Sequence, residues 1–456
     1  MIYDNVIDWA RKFPGRPCVI EAGRVFTWAH LLEVFEDGRR ELKRAGIGPG
    51  DLVAVGGVRR GAAIAGMLAA WSVGAAYLPL AYGTPLARAE LILDIARPAA
   101  ILDDPLVADG DWGGFHLLDD PAKLNPATAY VIFTSGSSGV PKGVMVGHAG
   151  LGPLTEWYRE ITMLAPGDVA GQVASLTFDA SVLEIWGALA NGATLAVPPL
   201  DAVLDPEVYQ DFLREHEVRA AFVPTGMVAP LFDLDWPEDV PTRMLFTGGE
   251  RLTRWPEPRH PFAFYNCYGP AESTVAATCH LLDPRAARRE PPPIGRPLSY
   301  VHTRVAEDGE LWLGGPAIAL GYLGAADDSF VEHNGERWYR TGDLVTQDAD
   351  GVLHYVSRTD DQIQLDGRRT EPAEIVHTIL MLADVADAFV FTRETPSGEV
   401  RLSAAVTPAT VAMQELRHHL ERLLPAYMIP SEIMPMDAFP LTAHGKVDVD
   451  ALRERR

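Results

Sequence analysis

The run Ala129-Tyr130-Val131-Ile132-Phe133 empties directly into Thr134-Ser135-Gly136-Ser137-Ser138-Gly139-Val140-Pro141-Lys142-Gly143. The apolar run predicts a buried strand, and the hydroxyl- and glycine-rich stretch predicts a loop at its carboxyl end. Small residues let backbone N–H groups approach an anion closely. Hydroxyls add donors and Lys142 adds a point charge, which is the set a phosphate requires. The GK[ST] ending of a Walker loop is missing. A flexible surface turn could share this composition, but the strand before it and the lysine after it favour anion binding.

Further motifs follow in order: WSVGAAYLPL at 71–80, FDASVLEIW at 178–186, NCYGPAES at 266–273, GELWLGGPAIALGY at 309–322, YRTGDL at 339–344, SRTDDQIQLDGRRTEPAEI at 357–375 and PLTAHGKVD at 440–448. With the loop, they resemble the ordered motifs of the adenylate-forming superfamily, specifically the amino-acid adenylation domains of nonribosomal peptide synthesis. The resemblance runs along nearly the whole chain. It implies activation of an amino acid as aminoacyl-AMP with ATP and Mg²⁺, release of pyrophosphate, and transfer to the phosphopantetheine thiol of a carrier protein.

Residue by residue, it implies that Thr134, Ser135, Gly136, Ser137, Ser138, Gly139 and Lys142 hold the ATP phosphates. In the Gly269-Pro270 turn, the Asn266 amide can read a purine edge, the Tyr268 ring can stack on it and the Glu272 carboxylate can hold Mg²⁺. Thr134 matches the second metal-holding position. Asp343, on a tight turn, is suited to accepting hydrogen bonds from both ribose hydroxyls, and Arg358 matches an arginine that also contacts nucleotide. Without the resemblance these would read as a structural turn and two solvated charges. Attack of a carboxylate on a triphosphate brings two anions together, so a bridging cation is needed. Lys446 matches the family lysine in that role, although in isolation it reads as a solvated terminal lysine.

Asp179 points to amino acids over plain carboxylic acids. A carboxylate in an apolar pocket is costly unless a cation neutralises it, and an α-ammonium group does so. An alternative is an N-capping Asp that opens a helix over 181–190. By position, the side-chain pocket is lined by Ala180, Leu183, Phe246 and Gly248, together with Cys267, Val275 and Ala276. One more position near Thr225–Met227 is not aligned. No other charge lines it besides Asp179 and Lys446, so the expected side chain is apolar and medium-sized. One methylene is worth about 1–3 kcal/mol in such a pocket, too little to name the acid.

The chain departs from the family at Gln364-Leu365-Asp366-Gly367, where Lys-Ile-Arg-Gly is usual, and at Ser357-Arg358, where Gly-Arg is usual. These changes fall in the hinge loop that in the family serves thiolation, and Asp366 in place of a cation is expected to weaken contact with the carrier or its pantetheine. Asp360 and Gly367 retain the hinge acid and loop glycine. The chain ends at Arg456 without a serine-centred carrier motif, so a carrier is expected in trans. A free-standing enzyme and an adenylation domain cut from a longer synthetase read alike. An MbtH-type accessory protein is a further partner of the family. The competing readings are an acyl- or aryl-acid coenzyme A ligase, which Asp179 argues against, and a degenerate nucleotide-binding protein, which Lys142, Glu272, Asp343 and Lys446 together argue against.

These residues need a large scaffold. At 456 residues, with 47% hydrophobic and 22% charged side chains, the chain exceeds one ordinary core and reads as a multi-domain globular enzyme. Short apolar runs at Leu52–Val55, Ala129–Phe133, Ala220–Val223 and Met244–Phe246 alternate with helical patterns, predicting α/β architecture with parallel-rich sheets. After a polar connector at 357–361 come a helix-like stretch at Glu371–Leu382, strand-like Ala388–Thr392 and Leu402–Val406, and a second helix-like stretch at Val411–Leu424. The expected organisation is a large α/β domain over 1–357, a hinge at 358–361 and a small mobile α+β domain over 362–456. Sixty-two acidic against 39 basic side chains give a formal charge of −23, which repels a nucleic acid backbone. Three scattered cysteines and no signal peptide point to the cytoplasm. The uncharged stretch Gly61–Gly83 is long enough for a membrane span. Its Ala and Gly content, and Pro79 near its end, predict a buried helix followed by a buried strand instead.

Overall fold

Strands Leu52–Val55 and Ala76–Pro79 are buried at every residue and pair in parallel, with Val53 opposite Tyr77. Helix Arg60–Ser72 lies between them in sequence and is buried from Gly61 through Trp71. A helix apolar on all sides satisfies its backbone internally and fits only inside a core. Residues 61–79 therefore hold a core helix and a core strand, while 82 and 83 lie outside the described residues. No helix among the described residues is long and apolar enough to cross a membrane.

The computed structural model describes residues 2–57, 60–81, 84–103, 114–136, 139–237, 239–285, 291–324, 328–360, 362–365, 368–394, 400–441 and 447–455. The chain divides into two compact units. The larger comprises Met1–Tyr82, Ile95–Ile132 and Gly143–Thr359, and the smaller Gly83–Asp94, Phe133–Lys142 and Asp360–Arg456. The smaller unit thus takes in two segments from the N-terminal half, one of them the glycine-rich loop. Strand Leu353–Arg358 carries through Ser357 and Arg358, part of the stretch expected as connector.

Among the described residues the larger unit has a nine-stranded sheet. Its interior strands Pro17–Glu21, Thr194–Val197, Val169–Gly171, Val218–Phe222, Met244–Gly248 and Ala263–Tyr268 run parallel, and antiparallel strands close both ends. A seven-stranded sheet contains Thr128–Thr134 and its neighbour Lys142–Gly147. A third sheet is antiparallel and pairs Glu336–Gln347 with Leu353–Arg358. The smaller unit pairs Asp387–Glu394 antiparallel with Val400–Thr407, which runs parallel to Glu432–Pro435. Helices Pro372–Leu380 and Met413–Leu423 pack Ile375, Ile379, Leu416 and Leu420 against Ala404 and Val406. The expected division into parallel-rich α/β and a smaller α+β part is the architecture found.

Candidate active site

In the smaller unit, Ser135 and Gly136 are buried immediately after Thr134. A Cβ on Gly136 would lie 1.8 Å from the Val140 carbonyl oxygen. No residue but glycine fits a turn that closes so tightly. Gly139 takes φ +82°, and its α-carbon faces His377 and Ala373 of helix Pro372–Leu380. On that helix the buried Glu374 carboxylate pairs with Arg88 and accepts from the Gly136 N–H. Burial pushes the Glu374 carboxyl up, against the opposing pull of Arg88 and Gly136. One backbone donor of the loop, the Gly136 N–H, is thus engaged by a carboxylate. Ser137, Ser138, Gly367 and Lys446 lie outside the described residues, as does Asp366. Asp360 opens the C-terminal part of this unit and accepts from the Gln362 N–H at 3.3 Å.

In the larger unit, three residues from three separate motifs meet. Asp343 and Arg358 are opposite one another in strands Glu336–Gln347 and Leu353–Arg358. Arg358 Nη1 donates to Asp343 Oδ1 at 2.6 Å, and Tyr268 Oη donates to Asp343 Oδ2 at 2.5 Å. Burial pushes the Tyr268 phenol up, and the Asp343 carboxylate adds to the shift. Asn266 is buried on the same strand as Tyr268, its Nδ2 donating to the Pro293 carbonyl at 2.8 Å. Gly269 follows, where a Cβ would lie 2.4 Å from the Val275 carbonyl oxygen.

Glu272 is fully buried on the one-turn helix Ala271–Ser273. Tyr322 Oη donates to its Oε1 at 2.6 Å, and the Ala319 N–H donates to its carbonyl at 2.8 Å. Tyr322 belongs to the motif at 309–322 but has no signal of its own in the sequence. Only the fold brings this hydroxyl to a carboxylate fifty residues away.

Asp179 stands at the N-cap of helix Ala180–Leu189, yet its side chain makes no capping hydrogen bond. Its carboxyl is pushed up to about 7, first by burial and then by the neighbouring Glu272 carboxylate. The helix itself is buried throughout, so Ala180 and Leu183 are core positions. Phe246 and Ala276 are buried in the same apolar cluster, and Cys267 and Val275 are partly buried against it. Gly248 is paired with Cys267 across parallel strands, where a Cβ would lie 2.5 Å from the Cys267 carbonyl oxygen. Thr274 and Val275 both take left-handed backbone angles, φ 56° and 71°. For β-branched residues this is strained, and such strain clusters at functional sites. At the unaligned position, Thr225 Oγ1 donates to the Gly248 carbonyl at 3.1 Å, which places the start of helix Thr225–Asp233 beside this strand end.

A family model described as AMP-binding enzyme matches residues 6–323, and one described as AMP-binding enzyme C-terminal domain matches residues 374–446. Tyrocidine synthase 3 of Brevibacillus parabrevis is 32% identical over 493 aligned positions, covering 99% of this chain and 8% of that protein. The chain spans a tenth or less of the length of the first curated relatives it matches. Among solved structures, holo-PA1221, a protein containing adenylation and PCP domains bound to a vinylsulfonamide inhibitor, is similar at TM-score 0.81 and 27% identity, covering 99% of this chain and 83% of that one. The Vibrio cholerae adenylation domain AlmE in complex with glycyl-adenosine-5'-phosphate has TM-score 0.83 at 22% identity, covering 99% and 97%, a likeness of fold.

Proposed function

This chain belongs to the family of AMP-binding enzymes, adenylate-forming ligases that use ATP with Mg²⁺, and from that premise we propose that it activates an apolar, medium-sized amino acid as aminoacyl-AMP. The substrate carboxylate attacks the α-phosphorus of ATP, forming a P–O bond as the bond to pyrophosphate breaks. In this reading the loop N–H groups of Thr134–Gly139 and Lys142 hold phosphate oxygens. Tyr268, Asn266, Asp343 and Arg358 hold the nucleoside. Lys446 bridges the attacking carboxylate and the phosphate, which stabilises charge that is greatest in the transition state.

The Glu272 carboxylate and the Thr134 hydroxyl are oxygen donors, the kind Mg²⁺ takes together with substrate phosphates. They are the residues that would hold it. Bound there, the ion would neutralise charge on the polyphosphate.

The observation that carries the amino-acid reading is Asp179. A carboxyl pushed up to about 7 by burial and by Glu272 is one that a nearby cation would return to its charged form. The α-ammonium group of an amino acid supplies that cation, whereas a plain acyl or aryl acid does not. Cys267, Val275, Ala276, Phe246, Leu183, Ala180 and Gly248 offer no charged side chain, which supports an apolar substrate side chain. We extend the reading to transfer of the aminoacyl group to a carrier's phosphopantetheine thiol in trans, with alternation about a hinge at Asp360 and Gly367.

Amino-acid-dependent exchange of labelled pyrophosphate into ATP tests this, over apolar, polar and β-amino acids and simple aryl and fatty acids, with an MbtH-like protein supplied. Strong exchange with an apolar α-amino acid, weakened in Asp179→Asn by a raised KM for that acid, supports it. Exchange only with acids lacking an amine would assign the chain to the acyl or aryl ligases. No exchange with any acid would favour the degenerate reading.

A further inference from the structure

Cys267 and Cys279 are directly opposed in the antiparallel pairing of Ala263–Tyr268 with Thr278–Leu281, and their sulfurs lie 3.0 Å apart. Both thiols are free and both residues are partly exposed. The Leu282 N–H donates to the Phe264 carbonyl at 2.9 Å, so 264 and 282 form a hydrogen-bonded pair. Bonded and non-bonded pairs alternate along an antiparallel ladder, which makes 267 and 279 a non-bonded pair, the kind whose Cα atoms approach to about 4.5 Å. That falls within the range of about 4.4–6.8 Å spanned by disulfides, and the sulfur gap exceeds a covalent S–S bond by only about 1 Å. Cys18 is engaged elsewhere, its Sγ donating to the Phe26 carbonyl at 3.1 Å.

We propose that Cys267 and Cys279 form a redox-responsive dithiol that a small-molecule disulfide closes reversibly to a cross-strand disulfide. The Cys267 thiolate attacks one sulfur of the reagent and expels one thiol, leaving a mixed disulfide. Cys279 then attacks the Cys267 sulfur and expels the second thiol. Two electrons pass from the protein to the reagent, and the two cysteine protons leave on the released thiols. Burial pushes the Cys279 thiol well above its ordinary range, which makes it the poorer initial nucleophile and the resolving partner. An external dithiol reverses both steps.

The functional consequence rests on the reading of Cys267 as a lining residue of the amino-acid pocket. Closure draws that side chain toward Cys279 and pins the strand end that carries Asn266 and Tyr268. The expected effect is a several-fold rise in the KM for the amino acid.

The test incubates the reduced full chain with glutathione disulfide, alkylates remaining thiols under denaturing conditions and maps the peptides by mass spectrometry. The expected result is the loss of two alkylatable thiols with a 267–279 cross-link, restored by dithiothreitol and absent in Cys279→Ser. Three alkylatable thiols after treatment, a stable glutathione adduct without cross-link, or a cross-link through Cys18 would each overturn the proposal. Exchange kinetics on the same samples form a second arm, with the KM rise expected in oxidised wild type and not in treated Cys279→Ser. An unchanged KM in fully cross-linked protein would remove the proposed effect on the pocket. If the reduced protein shows no exchange with any amino acid, the functional reading fails, while the cross-link arm still decides the dithiol.

Discussion

Arg358 Nη1 and Asp343 Oδ1 are 2.6 Å apart across an antiparallel strand pair, with side chains 8% and 5% exposed. Tyr268 completes the arrangement from the other carboxylate oxygen. Removing one partner of a buried ion pair costs about 3–5 kcal/mol, because the other charge is left uncompensated. Arg358→Ala is therefore expected to lower the urea midpoint of unfolding at unchanged m-value. On the functional reading, the KM for ATP rises in Arg358→Lys as well, by about tenfold or more, the equivalent of about 1.4 kcal/mol. Wild-type stability in the alanine variant would refute the structural weight given to the pair.

Asp179 makes a prediction about pH. The folded protein keeps its proton up to about pH 7, whereas the unfolded value is near 3.8. Between those limits the folded state binds more protons, so this group's stabilising contribution is fully present below about pH 4 and is lost as pH rises through 7. Binding runs the other way, because an ammonium needs the ionised carboxylate. The KM for the amino acid should rise as pH falls below about 7 while the KM for ATP stays flat. Asp179→Asn should raise the amino-acid KM and abolish this pH dependence. An acid limb that persists in Asp179→Asn would assign it to another group, and the buried Glu184, also pushed up to about 7, would be the first to examine.

Gly269 has backbone on the side where a Cβ would go, 2.4 Å from the Val275 carbonyl oxygen and 2.8 Å from the Ala276 Cα. Backbone cannot rotate away as a side chain can, so Gly269→Ala must displace the turn that carries Asn266, Tyr268 and Glu272. We expect a loss of about 1–3 kcal/mol in stability, together with a fall in exchange activity. Gly15 has nothing within 4 Å of its Cβ position, so Gly15→Ala is the matched control, expected to stay within about 0.5 kcal/mol.

Lys446→Ala tests the catalytic assignment. Loss of one transition-state charge contact typically lowers kcat by about 10²–10³-fold. We expect a loss of that order in pyrophosphate exchange with nucleotide binding retained, read by calorimetry with a non-hydrolysable ATP analogue. Undiminished exchange in the variant would exclude Lys446 from the bridging role.

Where information is local along the chain, the sequence determined the structure by itself. A strand of five apolar residues running into hydroxyls and glycines is a short-range pattern, and Thr128–Thr134 with its loop follows from it. The charge-free stretch after Arg60 is rich in small residues and is followed by an apolar run ending at Pro79, so core helix and core strand were readable without partners. The motif order likewise singled out Tyr268, Asp343 and Arg358, three residues that the fold brings into contact.

Pairing was decided only by the tertiary structure. Tyr322 and Glu272 are joined over 50 positions and Arg88 and Glu374 over 286, and no local propensity encodes either distance. The same holds for Asp343, held at once by residues 75 positions before it and 15 after it. Cys267 and Cys279 are 12 positions apart, a spacing that by itself allows many geometries. They meet because the register of two antiparallel strands places them opposite, and a slip of one residue would turn the two sulfurs to opposite faces of the sheet. Residue type and spacing limit what chemistry a chain can perform. Strand register and packing, which sum many weak contacts between distant segments, determine which of those groups touch.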